Sequence, residues 1–279
     1  MRTMPENSAD SIVTDPPYGL GFMGKAWDAL PPGEEWAREC LRVLKPGGHL
    51  LAFGGTRTWH RLAVAVEDAG FEIRDSIAWM HGEGFPKHRT GLKPAFEPIV
   101  MARKPFKGPL SANEEEYGVG ALNIDATRTD AGRWPANVTL DEATAPLLDL
   151  QSGTIKDRNS GRGGWTRGGY VGGTSNDNTQ SAAYKGEGGA SRFFYVAKAG
   201  KKERPVVGGV AHATVKPLAL MRWLVRLVTP EGGTVLEPFA GSGTTVEACI
   251  LEGFHCIAIE QEAEYLPLIQ ARIDRQDAA

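Results

Sequence analysis

Cysteine is scarce. Cys40, Cys249 and Cys256 are the three in 279 residues, and none forms a CxxC pair. That spacing excludes a disulfide framework and a thiolate zinc site, and fits reduced core thiols in a cytoplasm. The six histidines are scattered, so no metal centre is expected. No apolar run approaches the ~20 residues of a membrane span, and no signal-peptide apolar core follows Met1. Neither sign of charge dominates: 31 Lys and Arg stand against 34 Asp and Glu, a net charge of −3. Binding to a polyanion would therefore need local basic patches. What is abundant is apolar residues, 41% of the chain, enough for one large α/β domain or a domain carrying an insertion.

The chain is organised around Ile12-Val13-Thr14-Asp15-Pro16-Pro17-Tyr18-Gly19. An apolar strand runs into a loop that two prolines keep extended. From its end project a carboxylate, carbonyls without competing N–H groups, and an aromatic ring. Such a set suits a flat ring bearing an amine, with Asp15 and the Pro16 carbonyl as acceptors and Tyr18 stacked on the face. A proline-rich turn with a half-buried tyrosine is the plainer reading of so short a motif.

Around this motif, Met1–Asp10 reads as a helical remnant plus loop, and Gly19–Pro32 as a mobile flap jointed at Gly19, Gly21 and Gly24. The apolar spacing of Trp36, Ala37, Cys40, Leu41 and Leu44 predicts a helix from Glu34, ended by a turn at Lys45-Pro46-Gly47-Gly48. His49–Phe53 reads as a buried parallel strand. A second helix follows over Thr56–Ala69, then strands over Phe71–Met80 and Phe96–Ala102. The first hundred residues thus give half of a doubly wound sheet ending in an antiparallel hairpin.

From Lys104 to about Arg204 the character changes. Glycines crowd together (Gly161, Gly163, Gly164, Gly168, Gly169, Gly172, Gly173), and periodicity fades over Gly153–Gly189. Residues 151–204 hold ten Lys or Arg against four Asp or Glu, interleaved with Trp165, Tyr170, Tyr184, Phe193, Phe194 and Tyr195. One reading is a disordered linker. The other is an insertion that orders on a nucleic acid, with basic side chains for phosphates and rings for stacking. The acidic run Glu114–Glu116 at its start weighs against the second.

Helical spacing resumes at Pro217–Leu227. Thr234-Val235-Leu236 reads as a strand, Val246–Leu251 as a helix, His255–Ile259 as a strand ending in Glu260, and Ala263–Ile273 as a closing helix. Residues 234–260 have the layout of a nucleotide-binding βαβ unit, with glycines in the first turn and an acid at the tip of the second strand. Only Gly241 and Gly243 fit GxGxxG, since Val246 stands third, which argues against a dinucleotide. Phe239 offers an apolar wall. Glu237 offers a carboxylate that suits an ammonium group and repels a pyrophosphate. This chemistry points to S-adenosyl-L-methionine.

With these motifs in view, the sequence resembles the β-class amino-group DNA methyltransferases of bacteria and phages, many of them from restriction–modification systems. The likeness rests on Asp-Pro-Pro-Tyr at 15–18, His-Ala-Thr-Val-Lys-Pro at 212–217 and Glu-Pro-Phe-Ala-Gly-Ser-Gly-Thr at 237–244, in that order. It covers roughly residues 5–103 and 190–275. It implies a Rossmann-like, doubly wound, mostly parallel α/β sheet with an antiparallel hairpin and a loop-rich target-recognition insertion. The expected units are a catalytic half over 1–103, the insertion over 104–204 and a cofactor-binding half over 205–279.

The resemblance implies catalytic roles for Asp15, Pro16, Pro17 and Tyr18, which would hold and stack a flipped base. Cofactor contacts are implied for Glu237, Pro238, Phe239, Gly241, Gly243, Thr244 and Glu260, with Lys216 and Thr214 at the methionine end. Lys87 and Arg89, between the two hairpin strands, and Arg158, Arg162, Arg167, Lys201 and Lys202 are expected to meet duplex DNA. The activity implied is methyl transfer to adenine N6, since Asp rather than Ser precedes the prolines. Cytosine N4 and a non-catalytic DNA-binding relic are the alternatives. Two departures stand out: the family usually has Asp where Glu237 stands, and the N-terminal edge strand ending in an acid that members usually carry is expected to be missing upstream, with weaker cofactor binding expected in consequence. A monomer or homodimer is expected, without metal or membrane contact.

Overall fold

The computed structural model describes residues 1–21, 24–82, 84, 91–156, 186–197 and 203–277. Residues 1–8 form turns rather than the expected helical remnant. Strand β1 then spans Ala9–Thr14 and is buried throughout. Helix α1 (Glu34–Val43) buries Ala37, Cys40 and Val43 at the three-residue spacing that predicts it. It ends where expected, but the turn at Lys45–Gly48 is not a turn: β2 runs from Leu44 to Phe53 straight through it. Proline and glycine are tolerated there because the pairing with β1 jumps from Ala9↔Leu44 to Ser11↔His49, a bulge that absorbs the extra residues.

Helix α2 (Trp59–Asp68) leads to β3 (Glu72–Met80) and β4 (Phe96–Arg103). These two pair antiparallel along their whole length, as the hairpin reading expects. Beyond β4 come α3 (Leu110–Tyr117), β5 (Val138–Asp141) and α4 (Thr144–Ser152). A two-stranded ribbon of β6 (Ile155–Lys156) and β7 (Glu187–Gly188) precedes β8 (Tyr195–Ala197). Strands β9 (Val206–Val207) and β10 (Val210–Ala211) form a second ribbon. Then follow α5 (Leu218–Val228), β11 (Thr234–Glu237), α6 (Thr244–Glu252), β12 (His255–Ala258) and α7 (Leu266–Asp277).

One eight-stranded sheet has the order β12-β11-β1-β2-β4-β3-β5-β8, and within it only β4 runs against its neighbours. The fold is therefore the mostly parallel α/β sheet that the sequence implies. The 104–204 stretch enters that sheet: β5 pairs parallel with β3, and β8 parallel with β5. These strands have four and three residues, too short for a periodic signal.

Alternation along the strands sorts the core into two layers. Val13, Leu51, Phe53 and Ile99 face α5 and α6. Ile12, Leu50, Ala52 and Val100 face α1 and α2. The consequence for function lies at the centre. β1 and β11 are neighbours, with Ile12 opposite Leu236, although more than two hundred residues separate them. The chain winds outward from this pair in both directions, which makes the carboxyl ends of β1 and β11 a topological switch point, the usual ligand crevice of such sheets.

Candidate active site

From β1 the chain enters Asp15-Pro16-Pro17-Tyr18, and two side chains hold the loop. The buried Asp28 carboxylate accepts the backbone N–H groups of Tyr18 (2.7 Å), Gly19 (2.9 Å) and Leu20 (3.2 Å). Thr58, at the start of α2, donates its hydroxyl to the Tyr18 carbonyl at 2.6 Å. Gly19 has φ +67°, and a Cβ there would lie 2.3 Å from Pro31 Cδ, so no other residue fits the turn. The flap segment thus serves in part as a brace, through a residue the sequence did not single out.

The Tyr18 hydroxyl lies 3.0 Å from Asp15 Oδ1 and 2.8 Å from Glu97 Oε2. Burial, with both carboxylates adding, raises its pKa well above the ordinary value, so it stays a neutral donor. Lys216 Nζ sits 2.6 Å from Asp15 Oδ2 and 3.3 Å from Glu97 Oε2. The resemblance places Lys216 at the methionine end; the structure brings its ammonium to Asp15. Burial pulls the lysine pKa down, but the two carboxylates outweigh it and raise the net value. Burial likewise pushes Glu97 up, and Lys216 with the Tyr18 hydroxyl brings it below the ordinary range. The Tyr18 hydroxyl thus stays a donor, and Lys216 and Glu97 hold their charges on each other.

The second half of the site follows β11. Gly241 and Gly243 both take positive φ, +52° and +80°, and Gly243 caps α6. A Cβ on Gly243 would come within 3.1 Å of the Ile269 backbone, so the turn is fitted closely under α7. Arg272, fully buried, donates to the Ser242 carbonyl at 2.7 Å and pairs with the buried Glu247. A charged pair thus braces the glycine turn from behind. The sequence signal was faint: Arg272 stands four residues after the buried Leu268, on the apolar face of the last helix.

Glu237 is 1% exposed. Its carboxyl accepts from the Thr14 hydroxyl, the Thr245 hydroxyl (2.6 Å) and the Phe239 N–H (3.0 Å). Burial raises its pKa to about 8, against the pull of these hydrogen bonds. Among the described residues no cation reaches it. Glu260, just past β12, accepts from the Gly241 N–H (2.6 Å) and the Glu262 N–H (2.8 Å), tying strand tip to glycine turn. His212 packs between Trp27 and Tyr265, with ring centroids 6.0 and 4.6 Å away.

A single cavity of about 1110 Å³ joins the two halves. Asp15, Pro16, Pro17, Tyr18, Thr214, Lys216, Glu237, Pro238, Phe239, Gly241, Thr244 and Glu260 all line it; Gly243 shapes the turn behind. Lining residues that the sequence left unnamed include Trp27, Glu97, His212 and Tyr265. Lys87, Arg89, Arg158, Arg162, Arg167, Lys201 and Lys202, expected to meet DNA, lie outside the described residues. Among the described residues no His, Cys, Asp and Glu cluster could hold a metal, and no helix is long and apolar enough to cross a membrane.

The family model of N6/N4 methyltransferases, described as DNA methylase, matches residues 9–271. The chain belongs to this family. Among curated relatives, it is 26% identical over 284 residues to the type II methyltransferase M.HpaI of Haemophilus parainfluenzae, covering 99% of this chain and 71% of the relative. It is 28% identical over 255 residues to M.HindIII of Haemophilus influenzae, covering 82% of this chain and 63% of the relative. Among solved structures, the cytosine-N4-specific PvuII DNA methyltransferase superposes with a TM-score of 0.58 at 17% identity, over 97% of this chain and 81% of that one. The M1.HpyAVI complex with SAM gives 0.51 at 19% identity, over 98% and 90%. At such identities the structural likeness speaks to the fold. This DNA methylase carries its two motif sets at the ends of adjacent strands, as the crevice requires.

Proposed function

We propose that this DNA methylase moves a methyl group from S-adenosyl-L-methionine to the N6 amino group of adenine in duplex DNA, on a base turned out of the helix. The observation that carries the reading is the one cavity shared by Asp15 and Tyr18 at the end of β1 and by Glu237, Phe239 and Glu260 around β11 and β12. The cofactor fits the donor set. Glu237 is a buried carboxyl whose partners are hydroxyls and an N–H, a place suited to an ammonium. Glu260 offers its remaining lone pairs to ribose hydroxyls, and Phe239 an apolar wall. When bound, S-adenosyl-L-methionine supplies a methyl group on a sulfonium, which leaves with its bonding pair kept by sulfur.

The residues of the chain do the rest. An exocyclic amine is a poor nucleophile because its lone pair is delocalised into the ring. Asp15 and the Pro16 carbonyl accept hydrogen bonds from its two N–H groups, which favours a pyramidal nitrogen and frees the lone pair to form the new C–N bond as the methyl–sulfur bond breaks. The proton that the methylated nitrogen then sheds passes by way of the Asp15 carboxylate to solvent. Tyr18, fixed by its hydroxyl and carbonyl bonds, stacks on the base and holds it in line. The gain is positioning and electrostatics. Turning the base out costs a few kcal/mol, to be recovered by stacking and these bonds. Basic side chains of the 104–204 stretch are the proposed DNA contacts.

Asp before the two prolines favours adenine. The second reading is cytosine N4, because the acceptor pair fits either amine. The test is incubation of the purified chain with S-adenosyl-L-methionine and unmethylated duplex DNA, then mass spectrometry of the hydrolysed nucleosides. N6-methyladenine is expected; N4-methylcytosine would replace the base and keep the mechanism, and no methylated nucleoside would sink the proposal.

A further inference from the structure

We infer that Glu97 is a positioning residue that takes Lys216 from Asp15 when the target amine arrives. The inference rests on the methyl-transfer reading above and goes beyond it. In the structure Lys216 engages Asp15 Oδ2 at 2.6 Å, and the Tyr18 hydroxyl lies 3.0 Å from Oδ1. An amine that needs Asp15 as acceptor meets an ammonium already there. An ammonium on the same carboxylate oxygen weakens it as an acceptor for the amine, so Lys216 has to move or share.

The lysine has little freedom in how it moves. Its side chain is 9% exposed, and its ammonium lies over the Tyr18 ring at 5.3 Å and the Phe53 ring at 4.8 Å. Leaving for solvent would forfeit both rings and both carboxylates. Among the described residues, the other acceptor already in reach is Glu97 Oε2, at 3.3 Å. Exchanging the close partner for the distant one lengthens one contact and shortens the other by about 0.7 Å, the difference between 3.3 and 2.6 Å.

Tyr18 makes the exchange selective. Its hydroxyl has one hydrogen and two carboxylates within bonding distance, Glu97 at 2.8 Å and Asp15 at 3.0 Å, so it donates to one at a time. With Lys216 on Asp15, the tyrosine hydrogen serves Glu97. With Lys216 on Glu97, that hydrogen is free to turn to Asp15 Oδ1, and Oδ2 is cleared for the amine. Two carboxylates, one lysine and one hydroxyl thus offer two arrangements, each fully bonded. Glu97 comes from β4, the one antiparallel strand of the sheet, whose start lies at the carboxyl ends of its parallel neighbours. That reversal is what sets a carboxylate opposite Asp15.

The test is single-turnover methylation of long unmethylated duplex DNA with methyl-labelled S-adenosyl-L-methionine, alongside calorimetric binding of the cofactor. Glu97→Gln keeps an acceptor for Tyr18 but not a counter-ion for Lys216. Its transfer rate is expected to fall roughly a hundredfold, the cost of one misplaced reacting group, with cofactor affinity within about threefold. In a Lys216→Met background there is no lysine to receive, and the same change is expected to cost less than about threefold. Glu97→Asp, which keeps the charge, is expected to recover part of the rate. A Glu97→Gln rate near wild type, an equal loss in both backgrounds, or equal losses for Gln and Asp would each overturn the inference. A wild-type chain that transfers nothing to DNA would overturn the methyl-transfer reading itself, and this inference with it.

Discussion

The two ends of the cavity both present carboxylates, partly buried at one end and fully buried at the other, in opposite circumstances. At the end of β1, Asp15 and Glu97 share the Lys216 ammonium, and Glu97 is held below its ordinary pKa despite burial. One strand over, at the end of β11, the partners of Glu237 among the described residues are hydroxyls and an N–H, and burial lifts it to about 8. The difference is the cation. On the reading proposed above, the target end carries its own and moves it aside for a neutral amine. Among the described residues the cofactor end has none, and on that reading it gains one from its ligand. A site that binds a cationic donor beside a neutral acceptor needs this asymmetry, because like-charged ends would either repel the donor or trap the wrong ligand.

The largest effect expected from breaking this asymmetry is at Asp15. Asp15→Ala removes the acceptor for the amine, and transfer is expected to fall by about a hundred- to a thousandfold, the range for loss of a preorganised electrostatic contact. Cofactor affinity is expected to stay within a few-fold, because Asp15 belongs to the other end. Calorimetry and single-turnover rates on the same preparation decide it. Comparable loss in both would mean the two ends are not separate.

Glu237→Gln comes second. The amide keeps the shape and the acceptor for Thr245 but can never carry the charge that an ammonium needs. Loss of a hydrogen bond to a charged group costs about 1.5–3 kcal/mol, so cofactor affinity is expected to weaken roughly ten- to hundredfold at pH 8. The methyl-transfer rate at saturating cofactor should change little. An unchanged dissociation constant would show that the cofactor's cation goes elsewhere.

How much of this was legible in the sequence follows from the reach of each interaction. The Asp15–Tyr18 loop, the Glu237–Thr244 turn and most of the core helices show themselves locally, by proline placement, glycine pairs and apolar spacing. Chain order alone was enough to set β3 against β4. The partners that tune the site do not show themselves this way: Tyr18 meets Glu97 across 79 positions and Asp15 meets Lys216 across 201, and no local pattern encodes such contacts. Glu97 at the start of an apolar strand reads as an ordinary strand-edge acid until the antiparallel register is known. Asp28 lies in a glycine-rich segment that looks unstructured, yet three backbone N–H groups converge on it. Strands β5 and β8 were invisible for a simpler reason, their shortness. The Lys45–Gly48 segment misled because a bulge can house the residues that normally break a strand.

The smallest expected effect is also the one that tests the cause of the asymmetry, a missing cation. In the free protein Glu237 is held neutral below about pH 8 by burial. An ammonium pairs with the ionised form, so binding at pH 7 must expel a proton from Glu237. Affinity is then expected to strengthen as pH rises toward 8, by no more than tenfold per unit for a single proton. It should level or fall beyond, because an α-amino group loses its own proton near pH 7.7–8.0. Calorimetry in two buffers of different ionisation enthalpy measures the proton count directly. It should approach one released per cofactor bound at pH 7 and vanish in Glu237→Gln. S-adenosylhomocysteine, which keeps the ammonium and lacks the sulfonium charge, should release the same proton. If it does not, the charge that Glu237 senses is the sulfonium, and the cofactor end is built around the methyl group rather than the amino-acid tail.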